Sequence, residues 1–270
     1  PDDALWELPF QALLTRVETG ERFLLEEYAI SYAPSLTVLR EMMRVRDQRP
    51  RKAEAAMLAF GNPALPNALL AHAQPAYRER WLAPLPEAER EVKTLAQLYG
   101  AASSKVFIGA AAHEAQAKTE ASNYDILHFA THGILNDASP LYSHLLLAPG
   151  DAHEDGLLEA REVLKLDLRA ELVTLSACET ARGKLSTGEG VIGLSWAFFV
   201  AGSPATLVSQ WKVESASTSS LMRGFYQQLR NARSGSKAAA LRQAALRLMQ
   251  SPDYKHPFYW AGFVLIGDSR

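Results

Sequence analysis

A single cysteine in 270 residues excludes any internal disulfide, and with it the stapled scaffolds of small secreted proteins. The reducing cytosol is therefore the expected compartment. The lone thiol, Cys178, is either a small buried hydrophobe or a group with a chemical task. Positive charge is not in excess: 28 Lys and Arg stand against 30 Asp and Glu, a net of −2. Neither nucleic acid nor a membrane surface is expected as the main partner. No secretory signal is visible. The one long charge-free stretch, 191–211, is broken by Gly202-Ser203-Pro204, so a buried helix, a turn and a buried strand are expected there rather than a membrane span. His72, His113, His144, His153 and His256 lack metal-ligand spacing with carboxylates or with Cys178, and no metal or other cofactor is expected.

What is present reads as an ordinary globular chain, 48% hydrophobic and 21% charged. Six short apolar runs are expected as strands: 55–60, 105–108, 125–131, 172–177, 206–211 and 263–266. Several lack polar alternation, which points to burial on both faces. Helical periodicity covers 87–99, 159–166, 190–201, 217–229 and 236–249, with Thr187 or Gly188 as a cap of the third and Ser236 starting the last. An extended pair within 23–32 and a helix from Ser35 are expected at one sheet edge, and 44–52 and 61–86 as loops. Alternating strands and helices predict an α/β fold in one domain over 1–270, with a mostly parallel six-stranded sheet between two helix layers plus an edge hairpin.

Open parallel sheets carry their ligands beyond the C-terminal strand ends. Two strands end there in reactive groups: D-I-L-H-F-A-T-H-G delivers His132 and Gly133, and E-L-V-T-L-S-A-C-E-T delivers Cys178. A neutral thiol is a weak nucleophile, so a facing imidazole must take its proton and later return it to the leaving amine. The amides of Gly133 and Cys178 form a candidate oxyanion hole. His132 and Cys178 are 46 residues apart, close to the roughly 50 of caspases.

The stretches H-F-A-T-H-G, S-P-L-Y-S-H-L-L-L, L-S-A-C-E-T-A, G-E-G-V-I-G-L, S-Q-W-K-V and H-P-F-Y-W-A-G-F resemble the CHAT domain family, as do the early P-D-D-A-L-W-E-L-P-F and L-A-F-G-N-P. That family is a caspase-like group related to separases and often fused to tetratricopeptide repeats. The resemblance implies a caspase-like three-layer sandwich and a His132–Cys178 dyad. It further implies a cysteine endopeptidase acting on specific protein substrates in bacterial signalling or defence, controlled by an attached or partner repeat region. It also implies that a strand and helices of the fold precede Pro1, making this a C-terminal fragment. The alternative, from another class, is an inactive caspase-like scaffold or binding module.

Gln210, Trp211, Lys212 and Val213 are candidates to pair with a bound peptide by β-augmentation. Relatives that cleave after basic residues carry acids at positions matching Ser176 and Ser215. Hydroxyls there imply a neutral residue before the scissile bond. Asp125 and Asp137 bracket the histidine strand as candidates to orient the imidazole, and His144 is a candidate cleft residue. Two decoys are set aside. Gly188–Gly193 satisfies G-x-G-x-x-G without a strand immediately before it, and Ser195 sits in an incomplete nucleophile elbow inside an expected helix.

Overall fold

The computed structural model describes residues 8–17, 20–49, 54–65, 82–136, 138–150, 154–176, 189–231 and 236–270. In chain order its strands are β1 (Leu14–Val17), β2 (Gly20–Phe23), β3 (Met57–Pro63), β4 (Ser104–Gly109), β5 (Ile126–Ala130), β6 (Gly133–Ile134), β7 (His144–Leu146), β8 (Leu157–Glu159), β9 (Leu172–Leu175), β10 (Ala205–Ser209) and β11 (Phe263–Gly267). The longer helices are α1 (Leu36–Asp47), α2 (Pro86–Tyr99), α3 (Glu114–Glu120), α4 (Glu189–Val200), α5 (Ser215–Asn231) and α6 (Lys237–Met249).

The six expected strands form one sheet in the order β11-β10-β9-β5-β3-β4. Every pairing is parallel except β10 with β11. The apolar runs lack alternation because both faces are covered. Met57 and Ala59 of β3 join the core under α2, α5 and α6. Leu58 and Phe60 face the opposite core with α3 and α4, where Phe60 stacks on Phe129 at 5.2 Å.

Local chemistry sets the helix starts. Ser35 and Ser236 each accept an amide hydrogen bond from the third residue onward, capping α1 and α6. Pro86 opens α2, where a missing N–H costs nothing. The Glu214 carboxylate accepts from the amides of Ala216 and Ser217 at 3.0 and 2.7 Å, capping α5.

Four expectations differ from the structure. The hairpin is β1–β2, earlier than 23–32, and it forms its own two-stranded sheet. Glu26 accepts from the Phe23 amide and turns the chain into a helical turn at Leu24–Glu27, so the extended run stops. Only Tyr32 of that region bridges to the edge strand β11. The basic segment from Arg44 is not all loop, because α1 continues to Asp47 with Arg46 paired to buried Asp268 at 2.8 Å. The helix expected over 159–166 is a turn at Ala160–Val163 that follows a three-stranded meander, β6-β7-β8. Helix α3 falls where no element was expected, and the cap expected at Thr187 or Gly188 lies outside the described residues.

One chain of buried polar groups crosses the core. Nε2 of His128 on β5 donates to Glu91 of α2 at 2.8 Å, and its Nδ1 is hydrogen-bonded to the Tyr226 hydroxyl of α5 at 3.0 Å. That hydroxyl donates to Oγ1 of Thr174 on β9 at 2.8 Å. Removing one member strands its partners without water. Tyr226→Phe should therefore destabilise the fold by about 1–3 kcal/mol in urea unfolding with an unchanged m-value. A loss near zero would show that the chain contributes nothing net.

Candidate active site

His132 lies two residues past the end of β5 and is 3% exposed. Its Nε2 is 2.9 Å from the backbone oxygen of Ala83. A carbonyl can only accept, so Nε2 carries the proton and Nδ1 is the nitrogen with a lone pair. Burial pushes the imidazole well below its ordinary value, to about 4, and the positive charge of Lys212 adds to the effect. The Ala83 bond works the other way but is outweighed. The resting histidine is thus a neutral base with its orientation fixed from behind.

Of the two aspartates suggested for that orienting role, Asp125 does not perform it. Asp125 sits at the opposite end of β5, where its carboxylate accepts from the Ala56 amide at 2.9 Å, and Asp137 lies outside the described residues. The orienting group is a backbone carbonyl, which no side-chain pattern could announce.

Gly133 opens β6 and pairs with Leu145. The amide of Leu146 donates to the oxygen of His132 at 2.8 Å, which makes Gly133–Leu145 a non-hydrogen-bonded pair. The N–H of Gly133 is consequently directed away from β7.

Beside His132 lies a cleft of about 70 Å³. It brings together Ser176, Lys212, Val213 and Ser215 with His132, four of the six residues expected to meet a substrate. Gln210 and Trp211 are not among its walls. The Gln210 amide donates to Gly262, and the indole N–H of Trp211 donates to Phe258 at 3.1 Å. Gly262 allows this because any Cβ there would lie 2.5 Å from Val213. Ser176 Oγ is buried with no hydrogen-bond partner among the described residues. His144 is bonded to Tyr142 of its own loop and stands apart from the cleft.

Glu91 also lines this cleft and was missed in the sequence. It is 4% exposed, with one oxygen taken by His128 and the other accepting from Ser219 at 3.1 Å. Its signal was position: three residues after Ala88 and four before Leu95, on the apolar stripe of α2. Cys178 falls outside the described residues, as do His72, His153 and the first glycine of the G-x-G-x-x-G run. Ser195 is buried inside α4, where no elbow can form. The described residues contain one convergent carboxylate group, Glu114, Glu154 and Glu162, and the Lys118 ammonium lies 2.6–2.9 Å from all three. No described helix is long and apolar enough to cross a membrane.

The chain matches the CHAT domain family over residues 1–268. It is 30% identical to tetratricopeptide repeat protein 28 of Homo sapiens, across 97% of this chain and 11% of that protein. The Mus musculus protein of the same name is 29% identical, across 97% and 12%. The chain therefore spans a small part of the length of these relatives. Two crystal structures of the Saccharomyces cerevisiae separase–securin complex share its fold, with TM-score 0.57 in each. Each covers 97% of this chain, and 15% and 14% of the other, at 14% and 16% identity. The fold is thus the caspase-like α/β sandwich.

The histidine's state can be checked directly. In an NMR titration His132 should remain neutral from pH 8 to about pH 5 and protonate only near 4, and Lys212→Met should move that midpoint upward. Titration of His132 above pH 7 would instead indicate an imidazolium held by an ionised thiol.

Proposed function

The chain belongs to the CHAT domain family, and on that premise we propose that it is a cysteine endopeptidase with His132 and Cys178 as its catalytic dyad. One observation supports this most strongly. His128 of β5 and Thr174 of β9 are partners on the same rung of neighbouring parallel strands. His132 and Cys178 each follow that rung by four residues. Equal offsets past a shared rung would bring imidazole and thiol to the same edge of the sheet.

The reaction follows from the tautomer. Nδ1 of neutral His132 takes the thiol proton as sulfur attacks the carbonyl carbon of the scissile bond. The developing oxyanion is met by the amides of Gly133 and Cys178. The C–N bond then breaks, and the imidazolium gives its proton to the departing amine. Water, activated by the same imidazole, hydrolyses the thioester and restores the thiol. The net change is peptide plus water to acid plus amine. A depressed histidine pKa suits this cycle, since the imidazolium formed in the first step is a strong proton donor in the second.

The cleft beside His132 supports a neutral residue before the cut. Lys212 brings positive charge to its wall, and its two acids are already engaged, Glu91 by His128 and Ser219 and Glu87 by Arg90. Ser176 and Ser215 offer hydroxyls where an acid would be needed to pair a guanidinium. Val213 supplies an apolar edge. The occupant is a segment of a protein substrate, and the names of the relatives support control by tetratricopeptide repeats. A cytoplasmic, reducing setting would keep the thiol active, and a part in bacterial signalling or defence is inferred from the family resemblance alone.

Cys178→Ala and His132→Ala should each abolish peptide cleavage, and the double variant should lose little more than either single one. Full turnover by either variant would refute the dyad. In a peptide-library profile, neutral residues before the cut should exceed Arg or Lys by at least about tenfold in kcat/KM, with Ser215→Asp narrowing the gap. A profile dominated by Arg would overturn the pocket assignment.

A further inference from the structure

His132 stands between two cavities, and the chemistry above uses only the smaller. The larger measures about 630 Å³ and is lined mainly by apolar side chains, among them Pro63, Leu65, Leu82 and Pro84. Asn62 and Gly109, at the ends of β3 and β4, contribute to its walls. In the sheet, β9 flanks β5 on one side, and β3 followed by β4 flanks it on the other. The small cleft contains Ser176, just past β9, and the large cavity lies past β3 and β4. The imidazole therefore divides a polar side from an apolar side.

If the dyad reading is right, that division has a direction. The histidine protonates the departing amine, so the residue after the scissile bond leaves on the imidazole's side, away from the nucleophile. A peptide that enters across the Ser176–Lys212 cleft comes out over the larger cavity. We propose that this cavity is the subsite for the residue following the scissile bond and that it selects a medium or large apolar side chain there.

Two features make the cavity more than an empty hollow. It is continuous with the candidate catalytic centre, because His132 itself forms part of its wall. Its Leu82-Ala83-Pro84 wall also supplies the carbonyl that orients His132. A side chain packed against Leu82 and Pro84 thus rests on the segment that fixes the catalytic base. An apolar residue leaves the water-exposed chain for apolar surroundings, whereas a charged one would be desolvated there without a partner.

The test uses peptides identical except for the residue after the cut, together with an aminocoumarin substrate that has no such residue. Leu or Phe should exceed Ser, Asp or Lys by at least about tenfold in kcat/KM. Cys178→Ala protein should bind the Leu and Phe peptides more tightly in the same order. Leu82→Asp should collapse the Leu-over-Asp ratio to less than about threefold, as should Leu65→Asp, whose half-buried position spares the core should the first variant fail to fold. Turnover of the aminocoumarin substrate with a flat peptide series would overturn the subsite while leaving the peptidase reading in place. A ratio unchanged in the Leu65 variant would do the same. Absence of turnover with every substrate, together with equal binding of all peptides, would overturn both.

Discussion

The hydrogen-bond chain from Glu91 through His128 and Tyr226 to Thr174 ties together the four elements that build the candidate site. Helix α2 contributes Glu91 to the small cleft, and its start lies two residues past the Pro84 wall of the large cavity. Helix α5 contributes Ser215 at its first residue, β5 leads to His132, and β9 leads to Ser176 and on towards Cys178. A slip of one rung between β5 and β9 would leave Tyr226 unable to meet His128 and Thr174 at once. Buried polar groups stabilise little on balance, but they penalise every alternative arrangement that leaves them unpaired. The register that sets imidazole and thiol at equal offsets is thereby enforced from within the core.

Around that frame the electrostatics favour a neutral resting base. His132 is buried, faces the charge of Lys212, and among the described residues is held by the Ala83 oxygen rather than by a carboxylate. A carboxylate there would stabilise the imidazolium and weaken it as a proton donor to the leaving amine. A neutral carbonyl fixes the tautomer without that effect. The same logic extends to the proposed substrate preference: Lys212 brings positive charge to the small cleft, its acids Glu91 and Glu87 are already engaged, and the far wall of the histidine is apolar.

The central sheet was legible in the sequence because strands buried on both faces are apolar at nearly every position, as 57–60 is throughout and 126–130 is apart from His128. The proposed dyad was suggested for a related reason: His132 and Cys178 each follow an apolar run. Elements held by few residues were not. β6 and β7 are two and three residues long, too short for any period to register. The β1–β2 hairpin is largely exposed and carries no apolar face to mark it. Ala83 acts through its backbone, which every residue shares. Glu91 was passed over among the charges of α2, although its spacing from Ala88 and Leu95 places it on the buried face. Trp211 was named for backbone pairing with a peptide, and the role of its indole, donating to Phe258, left no trace in the sequence.

The central claim is that the fold activates Cys178 through His132, and active-site alkylation tests it most directly. A peptidyl acyloxymethyl ketone with a neutral residue at the reactive end should label Cys178 stoichiometrically, as read by mass spectrometry of the digested protein. The rate should exceed that of free glutathione by orders of magnitude and fall to the glutathione rate in His132→Ala. Labelling of Cys178 at the glutathione rate in the unaltered protein, indifferent to His132, would mark the chain as a caspase-like scaffold and contradict the account.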